Sequence, residues 1–236
     1  MNGMEELFTD ESVSLHHYRE LASQPLGEAR EYQQALFSLS DEYHKLMKES
    51  YRLICRSDRA ERELNRLNDA LQKLACQLEY EATHDALTQV FNRRAIISCI
   101  EKTLQHQDAA LILLDIDRFK TINDCYGHAV GDAVLCDITQ RFAVSVPDVG
   151  VTGRVGGEEF TIFLPCYTIE QAHRVAHKIS EALNASPLPA VPDQLVTASI
   201  GVSFAIKGST FHDLYNRADA AMYAAKHRGR NQICCG

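Results

Sequence analysis

The chain has 236 residues, 45% of them hydrophobic by type, and a formal net charge of -8. That is enough apolar material for one sizeable core with chain to spare, and the lack of any basic block argues against a nucleic-acid duplex as partner while allowing a small anion held by a few local cations. The eight cysteines form no CxxC pair, the longest apolar run (AALILLDI) is far short of the roughly 20 residues that cross a bilayer, and no basic-then-apolar leader opens the chain, so the expectation is a soluble, cytoplasmic protein with reduced thiols.

Residues 1–27 read as an irregular, mildly acidic segment ending near Pro25 and Gly27, with a short amphipathic helix allowed in ESVSLHHYRELA. His16 and His17 are adjacent and do not share a helical face, which argues against a metal site there.

From Ala29 the pattern changes. Positions 29, 32, 36, 39, 43, 46, 50, 53, 57, 60, 64, 67, 71, 74 and 78 alternate steps of three and four, and only Ser50 and Ser57 among them are small and polar. A straight helix drifts off a 3.5-residue repeat within a few turns, so a seam held this long predicts a coiled coil over residues 28–82. At ~1.5 Å per residue the rod is about 75 Å long. In this register Arg56 occupies a g position and Glu61 the following e position, which suits a parallel homodimer. An antiparallel or hairpin arrangement is the alternative. The polar centre from Ser50 to Ser57 reads as a hinge or as a place where another protein docks.

THDALTQVFNRR (83–94) breaks the heptad and reads as a linker. Beyond it, NRRAIISCIEKTLQHQ is expected to be a helix and AALILLDID (109–117) a buried strand. GDAVLCDITQRFAVSV (131–146) is expected to be a helix, and GVTGRV with EFTIFLP two strands joined at the glycines. A helix is predicted over 168–185, a strand over 195–206, a helix over 211–229, and a short last strand in NQICC. Strands alternate with helices and one hairpin is interposed, which predicts an α/β (α+β) domain over 83–236 with a mixed sheet flanked by helices.

Two acidic sites carry the chemistry. Asp115 and Asp117 end a buried strand, where carboxylates are costly unless paired or bound to a cation. Glu158 and Glu159 follow the two glycines of the hairpin. Brought together, Asp115, Glu158 and Glu159 form a hard-oxygen cluster that suits Mg²⁺, with Mn²⁺ as an alternative. Lys226 and Arg230 lie four apart at the end of the last helix, which places them on one face, and with Lys120 they suit a polyphosphate. No GxxxxGK[ST] loop occurs, which excludes a P-loop enzyme.

RVGGEEF resembles the signature hairpin of the GGDEF family, the diguanylate cyclases, in its GGEEF form. HDALTQVFNRR, LLDIDRFKTINDCYGHAVGD, TASIGVS and ADAAMYAAKHRGRN match the family in the same order, over residues 83–236. The resemblance implies a fold like the nucleotidyl-cyclase core and the polymerase palm. It implies condensation of two GTP into cyclic di-GMP with release of two pyrophosphates, each of two facing domains holding one GTP. Carried over by motif position, Asp115, the Ile116 carbonyl and Glu158 would bind the metal, with Glu159 in support. Glu158 would also help deprotonate the attacking hydroxyl. Asn123 and Asp132 would bond the guanine edge, with His128 and Phe119 in the same substrate loop. Lys120 would steady charge on the phosphates, Lys226 and Arg230 would grip the terminal ones, and Gly156 and Gly157 would let the backbone approach the nucleotide.

The family's inhibitory RxxD is replaced by PDVG (147–150), which argues against strong feedback through that site. The rod is expected to dimerise the enzyme and to control it, through a separate activating protein on the stalk. Two alternatives to the cyclase stand: a catalytically idle GTP-binding scaffold, and cyclisation within a single nucleotide.

Overall fold

A computed structural model describes residues 9–23 and 29–236 of the chain. Two compact units are present, Met1–Leu74 and Ala75–Gly236, and the boundary falls inside one long helix. In the first unit, helix α1 (Thr9–Ser23) lies against the start of helix α2 (Ala29–Thr83), where the Ser14 and Tyr18 hydroxyls donate to the Glu42 carboxylate at 3.4 and 3.3 Å. The helix allowed in ESVSLHHYRELA is present and slightly longer, over 9–23; the rest of 1–27 lies outside the described residues.

Helix α2 is unbroken over 55 residues and buries none of them. Leu64, Leu67, Leu71, Leu74 and Leu78 are each more than half exposed in the single chain. Among the described residues no helix is long and apolar enough to cross a membrane; the longest uncharged stretch of α2, residues 32–40, covers only about two and a half turns.

The expected linker at 83–94 is an ordered corner. Asp85 N–H donates to the Val90 carbonyl and Gln89 N–H to the Asp85 carbonyl, closing a tight turn with Gln89 at φ +60°. Strand β1 (Phe91–Asn92) follows at once, and the Asn92 side chain caps helix α3 (Arg93–Leu104) by accepting from Ala95 N–H. The sequence reading missed this order because the turn is held by side chains and backbone rather than by apolar periodicity.

The second unit continues through β2 (Ala109–Ile116), α4 (Phe119–Tyr126), α5 (His128–Ala143), β3 (Val151–Arg154), β4 (Glu159–Pro165), α6 (Ile169–Asn184), β5 (Ala198–Ala205), α7 (Phe211–His227) and β6 (Ile233–Cys235). The six strands form one sheet in the order β1-β3-β4-β2-β5-β6, antiparallel through the middle and parallel at both margins. Its two edge strands are the shortest, with two and three residues.

The pleat sorts β2 onto two cores. Ala110, Ile112, Leu114 and Ile116 pack with α4, α5 and α6. Ala109, Leu111 and Leu113 pack with α3 and α7. A strand buried on both faces has to be apolar throughout, which is why AALILL reads as a continuous run.

Three expectations change in detail. The segment after β2 is not a loop: α4 occupies 119–126, and Gly127, at φ +85°, breaks it from α5, which starts three residues before the expected 131. The strand expected over 195–206 is confined to β5. The helix expected to reach 229 stops at His227.

Candidate active site

The acidic groups converge at one end of the central strands. Asp115 is the last side chain of β2 on the α7 face, only 6% exposed, and its Oδ2 lies 2.8 Å from the Lys226 ammonium. Its neighbours across the sheet are Glu159 of β4 and Ser199 of β5. Ile116 N–H donates to the Glu158 carbonyl at 3.2 Å, which fixes the signature turn against the end of β2.

This crowding disturbs all three carboxyls. Burial raises Asp115 above its ordinary range, and Lys226 only partly offsets it. Burial and then the Asp115 charge raise Glu158, and the same pair of causes raises Glu159. Each group resists ionising beside the others, so a cation there is favoured.

Hard carboxylate oxygens are the donors that Mg²⁺ or Mn²⁺ selects. Among the described residues no three acidic, histidine or cysteine side chains are placed to hold a metal by themselves. The expected set fits the ion as a partial shell that substrate oxygens and water complete.

The hairpin glycines work differently from the turn argument. Neither Gly156 nor Gly157 has a positive φ. What matters is the missing Cβ: at Gly156 it would come within 2.6 Å of the Glu159 carboxylate, while Gly157 faces open space. Gly156 lets Glu159 fold under the turn, and Gly157 leaves its outer side clear.

The remaining expected residues divide into two groups. Asn123 is half-buried in α4, and a Cβ at Gly131 of α5 would overlap its Oδ1. Asp132 and His128 are exposed on α5. The Phe119 side chain, at 6% exposure, belongs to the core with α5 and α6, so only its backbone is free to face a ligand. Lys120 is exposed and, among the described residues, in no ion pair. Arg230 does not share a helical face with Lys226: it follows the end of α7 at φ +63°, yet both charges act on Asp115. The PDVG segment forms a tight turn in which Gly150 N–H donates to the Pro147 carbonyl.

The partners of two residues leave no mark in the sequence. Arg154 of β3 pairs with Asp85 at 3.1 Å and donates to the Gly157 carbonyl at 2.7 Å. Asp117 lies beyond the end of β2 in the turn and accepts three hydrogen bonds. Both residues sit inside quoted motifs, but their partners are 69 and 114 residues away, so spacing alone carried no signal.

A mixed sheet flanked by helices, with a carboxylate cluster and basic groups at the ends of its central strands, defines the domain as α/β. Residues 82–232 match the family described as Diguanylate cyclase, GGDEF domain, and the chain belongs to that family. Diguanylate cyclase DgcM of Escherichia coli is 37% identical over 167 residues, covering 69% of this chain and 40% of the relative. The chain thus spans well under half the length of that curated relative. The coiled coil and GGDEF domain of DgcB from Caulobacter crescentus, solved with c-di-GMP, align with a TM-score of 0.68 at 27% identity, over 78% of this chain and 99% of that one. Diguanylate cyclase SiaD of Pseudomonas aeruginosa, solved with its activator SiaC, aligns with a TM-score of 0.64 at 27% identity, over 99% of this chain and 88% of that one.

Proposed function

We propose that this chain is a diguanylate cyclase that joins two GTP into cyclic di-GMP as a homodimer. The observation that carries the reading is the crowding of Asp115, Glu158 and Glu159 at one end of the sheet, with Lys226 2.8 Å from Asp115. In each half-reaction a 3′-hydroxyl oxygen forms a bond to the α-phosphorus of the other GTP. The bond from that phosphorus to the bridging oxygen breaks and pyrophosphate leaves.

Asp115, the Ile116 carbonyl and Glu158 are the groups that would hold Mg²⁺, with Glu159 beside them; when bound, the ion neutralises charge on the phosphate oxygens. Glu158, whose carboxyl is raised by burial and by Asp115, is suited to take the proton of the attacking hydroxyl. Lys226 bridges to Asp115 without substrate and turns to the phosphates with it, where Arg230 joins it. Lys120 projects from α4, exposed and, among the described residues, in no ion pair, and meets charge that develops on the phosphates. Asp132 and Asn123 accept and donate at the guanine edge. Adenine lacks the paired N–H donors that a carboxylate accepts, and a site built on such bonds rejects a mismatch strongly.

The exposed heptad leucines of α2 support a parallel two-stranded stalk that brings the two half-sites together. The likeness to SiaD solved with its activator supports a second protein acting on that stalk. The PDVG turn supports weak product inhibition.

The test is incubation of the full chain with GTP and Mg²⁺, with mass spectrometry of the product. Cyclic di-GMP and two equivalents of pyrophosphate are expected. A 3′,5′-cyclic mononucleotide would reassign the reaction, and GTP binding without any product would make the domain a scaffold.

A further inference from the structure

The turn that follows α7 is held in an unusual shape. Gly229, Arg230 and Asn231 have φ of +113°, +63° and +48° in succession. Two non-glycine residues in the left-handed region cost about 1 kcal/mol or more each, and such a turn persists only where its surroundings impose it.

Asp117 imposes it from across the sheet. Its carboxylate is 8% exposed and, among the described residues, in no ion pair. Oδ1 accepts from the Ser199 hydroxyl at 2.7 Å, and Oδ2 from the Thr197 hydroxyl at 2.6 Å and the Asn231 N–H at 2.9 Å. Its own N–H donates to the Thr197 carbonyl. The Asn231 side chain is held separately by Asn184 of α6 at 2.9 Å. Asp117, Arg118, Thr121, Thr197, Gly229 and Arg230 are among the residues that line one cavity of about 280 Å³, so the turn borders open space on that side.

We propose that Asp117 is a positioning residue that fixes Arg230 relative to the carboxylate end of β2. The inference rests on the reading of Arg230 as a phosphate-binding side chain. Asp117 is two residues from Asp115, and Asn231 is next to Arg230. One carboxylate thus ties the acidic end of the site to its basic end. Misplacement by ~1 Å is enough to weaken such a site. Asparagine is a poorer partner, because a carboxamide has one acceptor oxygen, its N–H₂ is satisfied only by a hydroxyl that turns to accept, and the charge that strengthens the Asn231 bond is gone.

The experiment compares wild type with Asp117→Asn, Arg230→Ala and the double variant, each as the full chain. Amide exchange at Asn231 is followed by NMR, and kcat and KM for GTP are measured. Losing the charge behind that bond predicts roughly tenfold faster exchange at Asn231 in Asp117→Asn. KM should rise by a similar factor with kcat changed much less, and Asp117→Asn should add nothing to KM once Arg230 is alanine. Ser199→Ala, which removes one donor and leaves the charge, should show the same pattern in smaller measure.

Unchanged exchange at Asn231 in folded Asp117→Asn overturns the proposal. So does a KM increase that persists in the Arg230→Ala background. If Arg230→Ala alone leaves KM unchanged, the phosphate reading of Arg230 fails, and the role of Asp117 toward substrate fails with it. The exchange rates separate that outcome from a turn that Asp117 never held.

Discussion

Asn123 and Gly131 occupy adjacent helices, and the amide of one fills the space where the other lacks a Cβ. Gly131→Ala is therefore expected to displace the Asn123 side chain, raise KM for GTP about tenfold and narrow the preference for GTP over ATP, by disturbing hydrogen bonds to the base. In an Asn123→Ala background the same change should cost little; competition assays with both nucleotides measure this. A second outcome follows from the crowded carboxyls. Glu158→Gln removes one of several mutually repelling charges, so thermal unfolding should occur at the same temperature or higher, while turnover falls at least ~100-fold with loss of the base. The acidic residues were legible because carboxylates at the end of an apolar strand are costly and call for a reason. The role of Gly131 and the partners of Asp117 were not, since a sequence does not say which side chain fills the space beside a glycine or which distant donor meets a carboxylate.

Among the elements, the corner after α2 links the end of that helix to the signature turn. Asp85 accepts from the Thr88 N–H and hydroxyl and from Arg154, which also holds the Gly157 carbonyl. Burial alone would raise the Asp85 carboxyl, but the bonds from Thr88 and Arg154 outweigh it and hold the group below its ordinary value of 3.8. For an acid so lowered, the stabilisation is complete above the unfolded value and is lost as pH falls through the folded one. Urea unfolding of wild type between pH 7 and pH 3 should therefore show stability falling below about pH 4, with a shallower fall in Asp85→Ala. At neutral pH that variant should lose about 1–3 kcal/mol, the usual cost of leaving a part-buried partner unsatisfied, and its activity should fall more than its stability explains. Helices and long strands were legible from period and length. The corner, β1 and the break between α4 and α5 were not, because each depends on a positive-φ residue or a two-residue pairing that leaves no periodic mark.

For the whole molecule, the heptad seam and the α/β domain answer one need of the proposed reaction: a single site holding a single GTP cannot close a two-nucleotide ring. Leu67→Asp combined with Leu71→Asp places charge on a seam that is more than half exposed in the single chain, so it should not disturb the fold of the sheet. Sedimentation should show monomers, and specific activity at micromolar protein should fall at least ~tenfold, recovering in part as concentration rises. A full dimer in that variant would move the association surface elsewhere.

The two-residue and three-residue strands that close the sheet have a further consequence. An exposed row of unpaired backbone groups invites another copy to add itself as a new strand, and tethering raises the frequency of such encounters. Here each border offers too few free amides and carbonyls to grip a neighbour. In the proposed dimer, twin catalytic lobes held at close quarters would thus touch through ligand and side chains and then part, leaving the finished ring free to diffuse away.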